Sequence, residues 1–462
     1  MSTFCSRAKR KEEHTSVDKY AKDQTVGAVY DNAPAGNPFL AAMPDLLPPA
    51  RFLQQIGSSP PLPQELPVMT LEERRRLLPS LSSIFVPLDY MYAIYDTLYR
   101  AITTTYTTRT MIDGIRQINA IFAGRELQSY ATQADSGSIL GVPGIGKTST
   151  IRRCLSVMPQ TIEHTEYQGQ PFYCKQVLYL LTECPSDCSV KTLGYNIITA
   201  LDRAIGSGYM DSLSALRSSS ASAIATQVKI LCMTHHVGLI IVDEIQNAVV
   251  TARKNRQVKP LIKFLVELTN DTSTAVYFVG TPLAEELFIA QEHLKRRTRG
   301  IRLLPLRPDG TYRNFLDAIW PYQYTPRSAA LTDKLANKLY DFSGGIPAYI
   351  IKIFQESQAQ ALIQGRSSID EKIMQRAIDI LAIKVPKTYS GGTHISDFEI
   401  GKSPPELPRE PQEVPRQYAN KRGRRATQRD DADLLVAFRS QGIQEMIKFL
   451  EMHNMLERMG NE

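Results

Sequence analysis

A chain of 462 residues, 43% hydrophobic and 22% charged, has room for two or three domains and the ordinary composition of a globular protein. No apolar run approaches the ~20 residues that cross a bilayer. The start, with Arg7, Lys9, Arg10, Lys11, Glu12 and Glu13, lacks the apolar core of a signal peptide, so the expectation is a cytoplasmic protein without a membrane partner. A net charge of +7 allows a polyanionic partner where the basic residues cluster, and six cysteines are too sparse for a disulfide framework.

Residues 1–80, rich in Pro, Ala, Ser and charge, read as a mostly flexible arm with short helices and a partner-binding role. The texture changes at Pro87. Leu88, Met91, Tyr92, Tyr95, Leu98, Tyr99 and Ile102, and then Ile112, Ile115, Ile118 and Phe122, recur at helical spacing and predict packed helices whose tyrosines belong to a core.

Gly141-Val142-Pro143-Gly144-Ile145-Gly146-Lys147-Thr148, followed by Ser149, fills the pattern G-x-x-x-x-G-K-[ST] of a P-loop. Glycines let main-chain N–H groups turn inward around phosphates, Lys147 brings a charge to the β and γ oxygens, and Thr148 offers a hydroxyl to Mg²⁺. Ser138-Ile139-Leu140 predicts the leading strand and residues 148–157 the helix whose N-terminus faces the phosphates of ATP.

Apolar runs at 176–181, 237–242, 275–279 and 301–304 alternate with helical patterns. Such runs predict a parallel sheet covered on both faces, a three-layer α/β architecture. In this frame Leu239-Ile240-Ile241-Val242-Asp243-Glu244 is a Walker B strand: Asp243 steers Mg²⁺, and Glu244 polarises the water that attacks the γ-phosphate. Thr281, after the strand at 275–279, is a candidate sensor of the γ-phosphate; the alternative is a threonine opening a turn before Pro282. Arg296 and Arg297, within Lys295-Arg296-Arg297-Thr298-Arg299, are candidates to complete a neighbouring subunit's site, with a solvated basic turn as the alternative. Cys184-x-x-x-Cys188 has no second pair at zinc-ligand spacing, and the seven histidines form no metal or nucleophile pattern.

From Tyr312 to about Ile383 only helical patterns remain, among them Leu331, Leu335, Leu339 and Phe342, then Ile350, Ile353 and Phe354, then Ile373, Ala377 and Leu381. The boundaries expected are a core at 81–310, a small all-helical lid at 311–385, a basic Pro/Gly-rich linker at 386–430 and an amphipathic C-terminal helix at 431–462. A sequence-tolerant DNA clamp needs cations facing phosphate, and Lys191 with the loop carrying Arg253, Lys254, Arg256 and Lys259 are the favoured candidates.

The Walker motifs in this order resemble those of the AAA+ ATPases. The residues at 183–191, beginning Glu183-Cys184-Pro185-Ser186-Asp187, together with Asp243-Glu244-Ile245-Gln246-Asn247, Gly280-Thr281-Pro282, Arg296-Arg297 and the stretch 316–323 ending Trp320-Pro321-Tyr322-Gln323, resemble the TnsC/TniB family of transposition regulators over about residues 85–385. Cys188 departs from that pattern, standing where a small or glycine-like residue is expected. No arginine stands in Gly344-Gly345-Ile346-Pro347, which resembles the second sensor region. The resemblance implies an AAA+ core with a helical lid, and an ATPase that uses ATP and Mg²⁺ and oligomerises on double-stranded target DNA as a ring or helical filament. It further implies that this homo-oligomer links a TniQ/TnsD-type targeting protein to a TnsA/TnsB-type transposase, in a bacterial, nucleoid-associated setting. A replication-type helicase loader and a nucleotide-switched protein-interaction ATPase are the alternative functions.

Overall fold

The computed structural model describes residues 25–30, 36–129, 135–215, 220–249, 258–285, 287, 298–383 and 398–400. Two sheets organise them. A small one joins β1 (Thr25–Gly27) in parallel to β3 (Thr161–Tyr167), which turns back into β4 (Gln170–Val177). Gln168 and Gly169 form this hairpin's two-residue loop, both with positive φ, the backbone that matches the twist of paired strands.

The main sheet is built from β2 (Ser136–Gly141), β5 (Tyr179–Glu183), β6 (Leu239–Asp243), β7 (Ala275–Gly280), β8 (Thr298–Leu303) and β9 (Phe398–Ile400), in the order β5-β6-β7-β2-β8-β9. Its first five strands are parallel, and β9 adds to the β8 edge in antiparallel fashion.

Continuous apolar strands form here because both faces are covered. Leu239 and Ile241 join Ile139 and Tyr277 in a core shared with the helices Tyr90–Thr108 and Lys147–Ser156. Ile240 and Val242 point the other way, joining Leu140 and Phe278 against the helices Val190–Ile205, Ala221–Thr234 and Val258–Thr272. The architecture is thus a three-layer α/β core with a mainly parallel sheet.

The apolar run at 176–181 divides between the two sheets. Gln176 and Val177 close β4, whereas Tyr179 opens β5, and Leu178 between them donates its N–H to the Gln160 carbonyl. Periodicity could not show the break, because residues on both sides of it are buried.

At the edge of the sheet where β6 and β7 begin, the end of helix Tyr90–Thr108 supplies polar groups to main-chain carbonyls. Thr105 Oγ1 donates to Gly238 O at 2.8 Å and Ser273 O at 3.0 Å, and Tyr106 Oη donates to Val177 O and His236 O. Arg109, 2% exposed, donates from Nη1 to Thr272 O at 2.6 Å and from Nη2 to Val237 O at 3.1 Å. Thr272 ends the helix Val258–Thr272, so the guanidinium also meets the negative end of a helix dipole.

The expectation of a flexible arm over 1–80 is corrected for residues 36–80. Short helices Pro38–Ala41 and Pro49–Ile56 bury Phe39, Phe52 and Ile56 in the same core as helix Tyr90–Thr108, and Leu78, just after helix Leu71–Leu77, joins them. Phe52 stacks on Tyr95 with ring centroids 4.5 Å apart. Arg74, 3% exposed, donates to Met69 O, Tyr324 O and Thr325 O, tying this segment to residues beyond the sheet.

After β8, four helices follow among the described residues: Gly310–Ile319, Asp333–Ser343, Pro347–Ile363 and Glu371–Leu381. Asp309, Thr332 and Asp370 cap three of them by accepting from first-turn N–H groups. The Trp-Pro-Tyr-Gln stretch makes a structural corner here, where Trp320 Nε1 and Gln323 Nε2 both donate to Ala329 O. The linker at 386–430 and the helix expected at 431–462 lie outside the described residues except for Phe398–Ile400. Among the described residues no helix is long and apolar enough to cross a membrane.

Candidate nucleotide site

The loop between β2 and helix Lys147–Ser156 carries the nucleotide-site candidates. Gly144 and Gly146 have φ of 82° and 95°, in the left-handed region, which turns the loop and starts the helix at Lys147. A side chain at Gly144 would also press on Ile346 and Ala348, at 3.1 Å and 3.3 Å, where the helix Pro347–Ile363 begins. There the Ala348 N–H donates to the Gly144 carbonyl at 3.2 Å. Val142 and Ile145 anchor the loop in the core, while Pro143 and Gly144 are less buried; Thr148 and Ser149 lie in the first turn of the helix. This helix N-terminus has the orphan N–H groups and the dipole that favour an anion.

Lys147 is 9% exposed, and its Nζ donates to Gly141 O at 2.9 Å and Val142 O at 3.2 Å. Burial pulls the ammonium's pKa below its ordinary value, while the charges of Glu244 and then Asp243 act to raise it. Both carboxylates therefore lie within electrostatic reach of the P-loop lysine.

The two Walker motifs meet directly. Thr148 Oγ1 donates to Asp243 Oδ2 at 2.6 Å across the junction of helix Lys147–Ser156 and β6. The other carboxylate oxygen, Oδ1, accepts the Glu244 N–H at 2.8 Å. Glu244 itself has φ of 56°, a left-handed conformation that is uncommon for a side chain of this size and ends the strand abruptly.

A residue without an assigned role in the sequence reading completes this corner. Gln246 donates from Nε2 to Glu244 Oε2, and its Oε1 accepts the Thr281 N–H at 3.1 Å. Gly280 leaves the space for that, since a Cβ there would stand 2.5 Å from Gln246 Oε1. Gln246 stood in the Asp-Glu-Ile-Gln-Asn stretch, but its reach to Thr281 depends on β6 and β7 being neighbours. Thr281 sits at the end of β7, its main chain opening the short turn Pro282–Ala284. Sensor and turn-opening readings of Thr281 are compatible with this position.

The loop at 184–188 is stitched to the same corner. The Cys184 N–H donates to Asp243 O at 2.8 Å, and Asn247 Nδ2 donates to Cys184 O at 3.1 Å. Cys188 has φ of 54°, the backbone region that favours glycine, which accounts for the small residue expected at that position. Three stretches distant in sequence thus converge at the C-terminal ends of β5, β6 and β7.

Lys191 lies in the first turn of helix Val190–Ile205, its Nζ 5.7 Å from the centre of the Tyr195 ring. The other basic candidates cannot be placed in the same way: Arg253, Arg256, Lys254, Arg296 and Arg297 lie outside the described residues, and Lys259 is described only as part of helix Val258–Thr272.

The residues present fit a Mg²⁺–nucleoside triphosphate. The glycine-shaped loop and helix N-terminus suit phosphate, Lys147 supplies a cation, and the Thr148 hydroxyl and Asp243 carboxylate form a hard-oxygen pair of the kind that holds Mg²⁺ directly or through its waters. Fold and site together define a P-loop nucleotide-binding core.

Residues 131–288 match the family described as AAA domain. No curated protein matches the chain. Among solved structures, the chain is similar to the Aeropyrum pernix ORC2 protein in ADPNP-ADP complexes, with 14% identity and a TM-score of 0.37 over 60% of this chain and 67% of that one. It is also similar to the Aeropyrum pernix ORC1 protein in complex with DNA (10% identity, TM-score 0.38, 58% of this chain and 64% of that one). A further likeness is to Drosophila ORC bound to DNA, with 14% identity, a TM-score of 0.40, and 73% and 75% of the two chains covered.

Proposed function

We propose that this chain is an ATP-hydrolysing, DNA-binding AAA+ regulator of transposition that oligomerises on double-stranded target DNA and links a targeting protein to a transposase. The observation that carries the ATPase part is the direct Thr148–Asp243 hydrogen bond, which puts both Walker motifs on one site beside Lys147 and Glu244. The loop amides and Lys147 bind and orient the phosphates. Thr148 and Asp243 would hold Mg²⁺, which would supply positive charge against the developing phosphate charge. Glu244 takes the proton of a water whose oxygen bonds to the γ-phosphorus as the bond to the β–γ bridging oxygen breaks, giving ADP and inorganic phosphate.

The transposition part is supported by the likeness of the stretches at 183–191, 243–247, 280–282, 296–297 and 316–323 to the TnsC/TniB family. Three of those stretches converge at the site corner. DNA contact is proposed at Lys191, Arg253, Lys254, Arg256 and Lys259, and a trans-acting role at a subunit boundary for Arg296 or Arg297. The partners proposed are a TniQ/TnsD-type targeting protein and a TnsA/TnsB-type transposase.

The test is duplex-DNA binding with and without an ATP analogue across a salt series, followed by capture of each partner on the loaded DNA. ATP-dependent binding that weakens steeply with salt, and joint capture of targeting protein and transposase, are expected. Binding of a replicative helicase instead would favour a loader. Nucleotide-dependent protein binding without any DNA binding would leave a protein-interaction switch.

A further inference from the structure

The main chain around Glu244 is fixed at both ends. Its N–H donates to Asp243 Oδ1, its carbonyl accepts the Asn247 N–H at 3.0 Å, and the left-handed φ between them leaves only side-chain torsions to set where the carboxylate points. A glutamate side chain left to itself samples many rotamers, and ordering it costs conformational entropy.

Gln246 removes that freedom. One end of its amide donates to Glu244 Oε2; the other accepts the Thr281 N–H, so the amide itself is held by the end of β7. Gly280 makes the arrangement possible, because any side chain there would displace Gln246 Oε1 and meet Ile245 Cγ2 at 2.9 Å. The carboxylate so held lies near enough to the P-loop for its charge to act on the Lys147 ammonium.

We propose that Gln246 is a positioning residue for hydrolysis, clamping the Glu244 carboxylate toward the phosphate site with the Thr281 main chain as its anchor. This rests on the ATPase reading above. A base must meet its proton within hydrogen-bond reach, so loss of the clamp lowers the rate of the chemical step while leaving the phosphate contacts of Lys147 and the loop intact.

The test uses the full chain with duplex DNA, measuring ATP turnover and the binding of a fluorescent ATP analogue, with melting curves to confirm folding. Gln246→Leu removes both hydrogen bonds and is expected to lower kcat by roughly 10- to 100-fold, with nucleotide affinity changed by no more than about twofold. Gly280→Ala displaces Gln246 without altering its chemistry and is expected to give the same split between kcat and binding. Gln246→Glu keeps an acceptor for Thr281 but loses the donor to Glu244, and is expected to give the same split.

Full kcat in both Gln246→Leu and Gly280→Ala, or affinity falling in step with kcat, would each overturn the proposal. Turnover that collapses in Glu244→Gln but survives in Gln246→Leu sinks the clamp alone. Absence of turnover in the wild-type chain removes the ATPase reading and the clamp together.

Discussion

Thr148→Val separates the metal site from the phosphate cradle. Valine matches threonine in shape and leaves helix Lys147–Ser156 intact, but it removes the hydroxyl that donates to Asp243 Oδ2 at 2.6 Å. Asp243 is 4% exposed, so that oxygen has little water to turn to, while Oδ1 keeps the Glu244 N–H. A hydrogen bond to a charged group contributes about 1.5–3 kcal/mol, which sets the expected loss of stability in the nucleotide-free protein near 2 kcal/mol. The same hydroxyl is the proposed Mg²⁺ ligand, so the substitution should also weaken Mg²⁺-dependent nucleotide binding, by roughly tenfold or more on the scale of 1.4 kcal/mol per decade. Melting curves measure the first effect. Titration of a fluorescent ATP analogue in Mg²⁺ and in EDTA measures the second. The loss of affinity is expected in Mg²⁺ and largely absent in EDTA, where Lys147 and the loop amides alone bind phosphate. An equal loss under both conditions, or an unchanged melting temperature, would refute the placement of Thr148 between Asp243 and the metal.

Three other outcomes are expected. Arg109→Met should cost about 3 kcal/mol, because it leaves the Thr272 carbonyl without its guanidinium and strips a charged donor from Val237 O; a shift in denaturant midpoint equivalent to under about 1 kcal/mol would contradict this. Stability should fall as the pH drops from about 6.5 toward 4. Burial, then the charge of Lys175, pulls His235 down to about 4, and burial holds His236 well below its ordinary value, so in that window the unfolded chain binds protons that the folded chain refuses. His235 alone contributes at most about 3 kcal/mol to the loss, and a melting temperature flat across that window in wild type, or a slope unchanged in His235→Asn, would count against it. Finally, Glu244→Gln should bind nucleotide and hydrolyse it about 10²- to 10⁴-fold more slowly, and Arg296→Ala, Arg297→Ala protein should also be slow. Mixing the two should restore turnover where an intact Glu244 meets a partner's arginine; mixed oligomers no faster than the sum of the separate proteins would place those arginines elsewhere.

The parts of the site legible in the sequence are those whose physics is local. Eight residues from Gly141 to Thr148 contain both the positive-φ glycines and the charge that a phosphate cradle needs, so their spacing alone points to it. The run at 239–242 followed by two acids likewise marks a buried strand emerging at a polar edge, and in the structure Thr148 Oγ1 donates to Asp243 there. Helical spacing located Tyr90–Thr108 and the helices after residue 310 for the same reason, since each presents its apolar face within a few turns of its own chain.

Tertiary structure decided the rest, because the deciding partner was far away in sequence. Phe39, Phe52 and Ile56 sit among prolines in a stretch that composition assigns to a flexible arm, and they become core only because helix Tyr90–Thr108 and its neighbours offer a surface to cover. Arg74 and Arg109 carry charges that ordinarily stay in water, and they are buried because the fold brings carbonyls from Tyr324 and Thr325, and from Val237 and Thr272, around them. Gln246 is one polar residue in a turn until the pairing of β6 with β7 sets the Thr281 N–H on one side of its amide and Glu244 on the other. A hydrogen bond needs its partner within about 3 Å, and only the folded chain specifies which distant groups come that close.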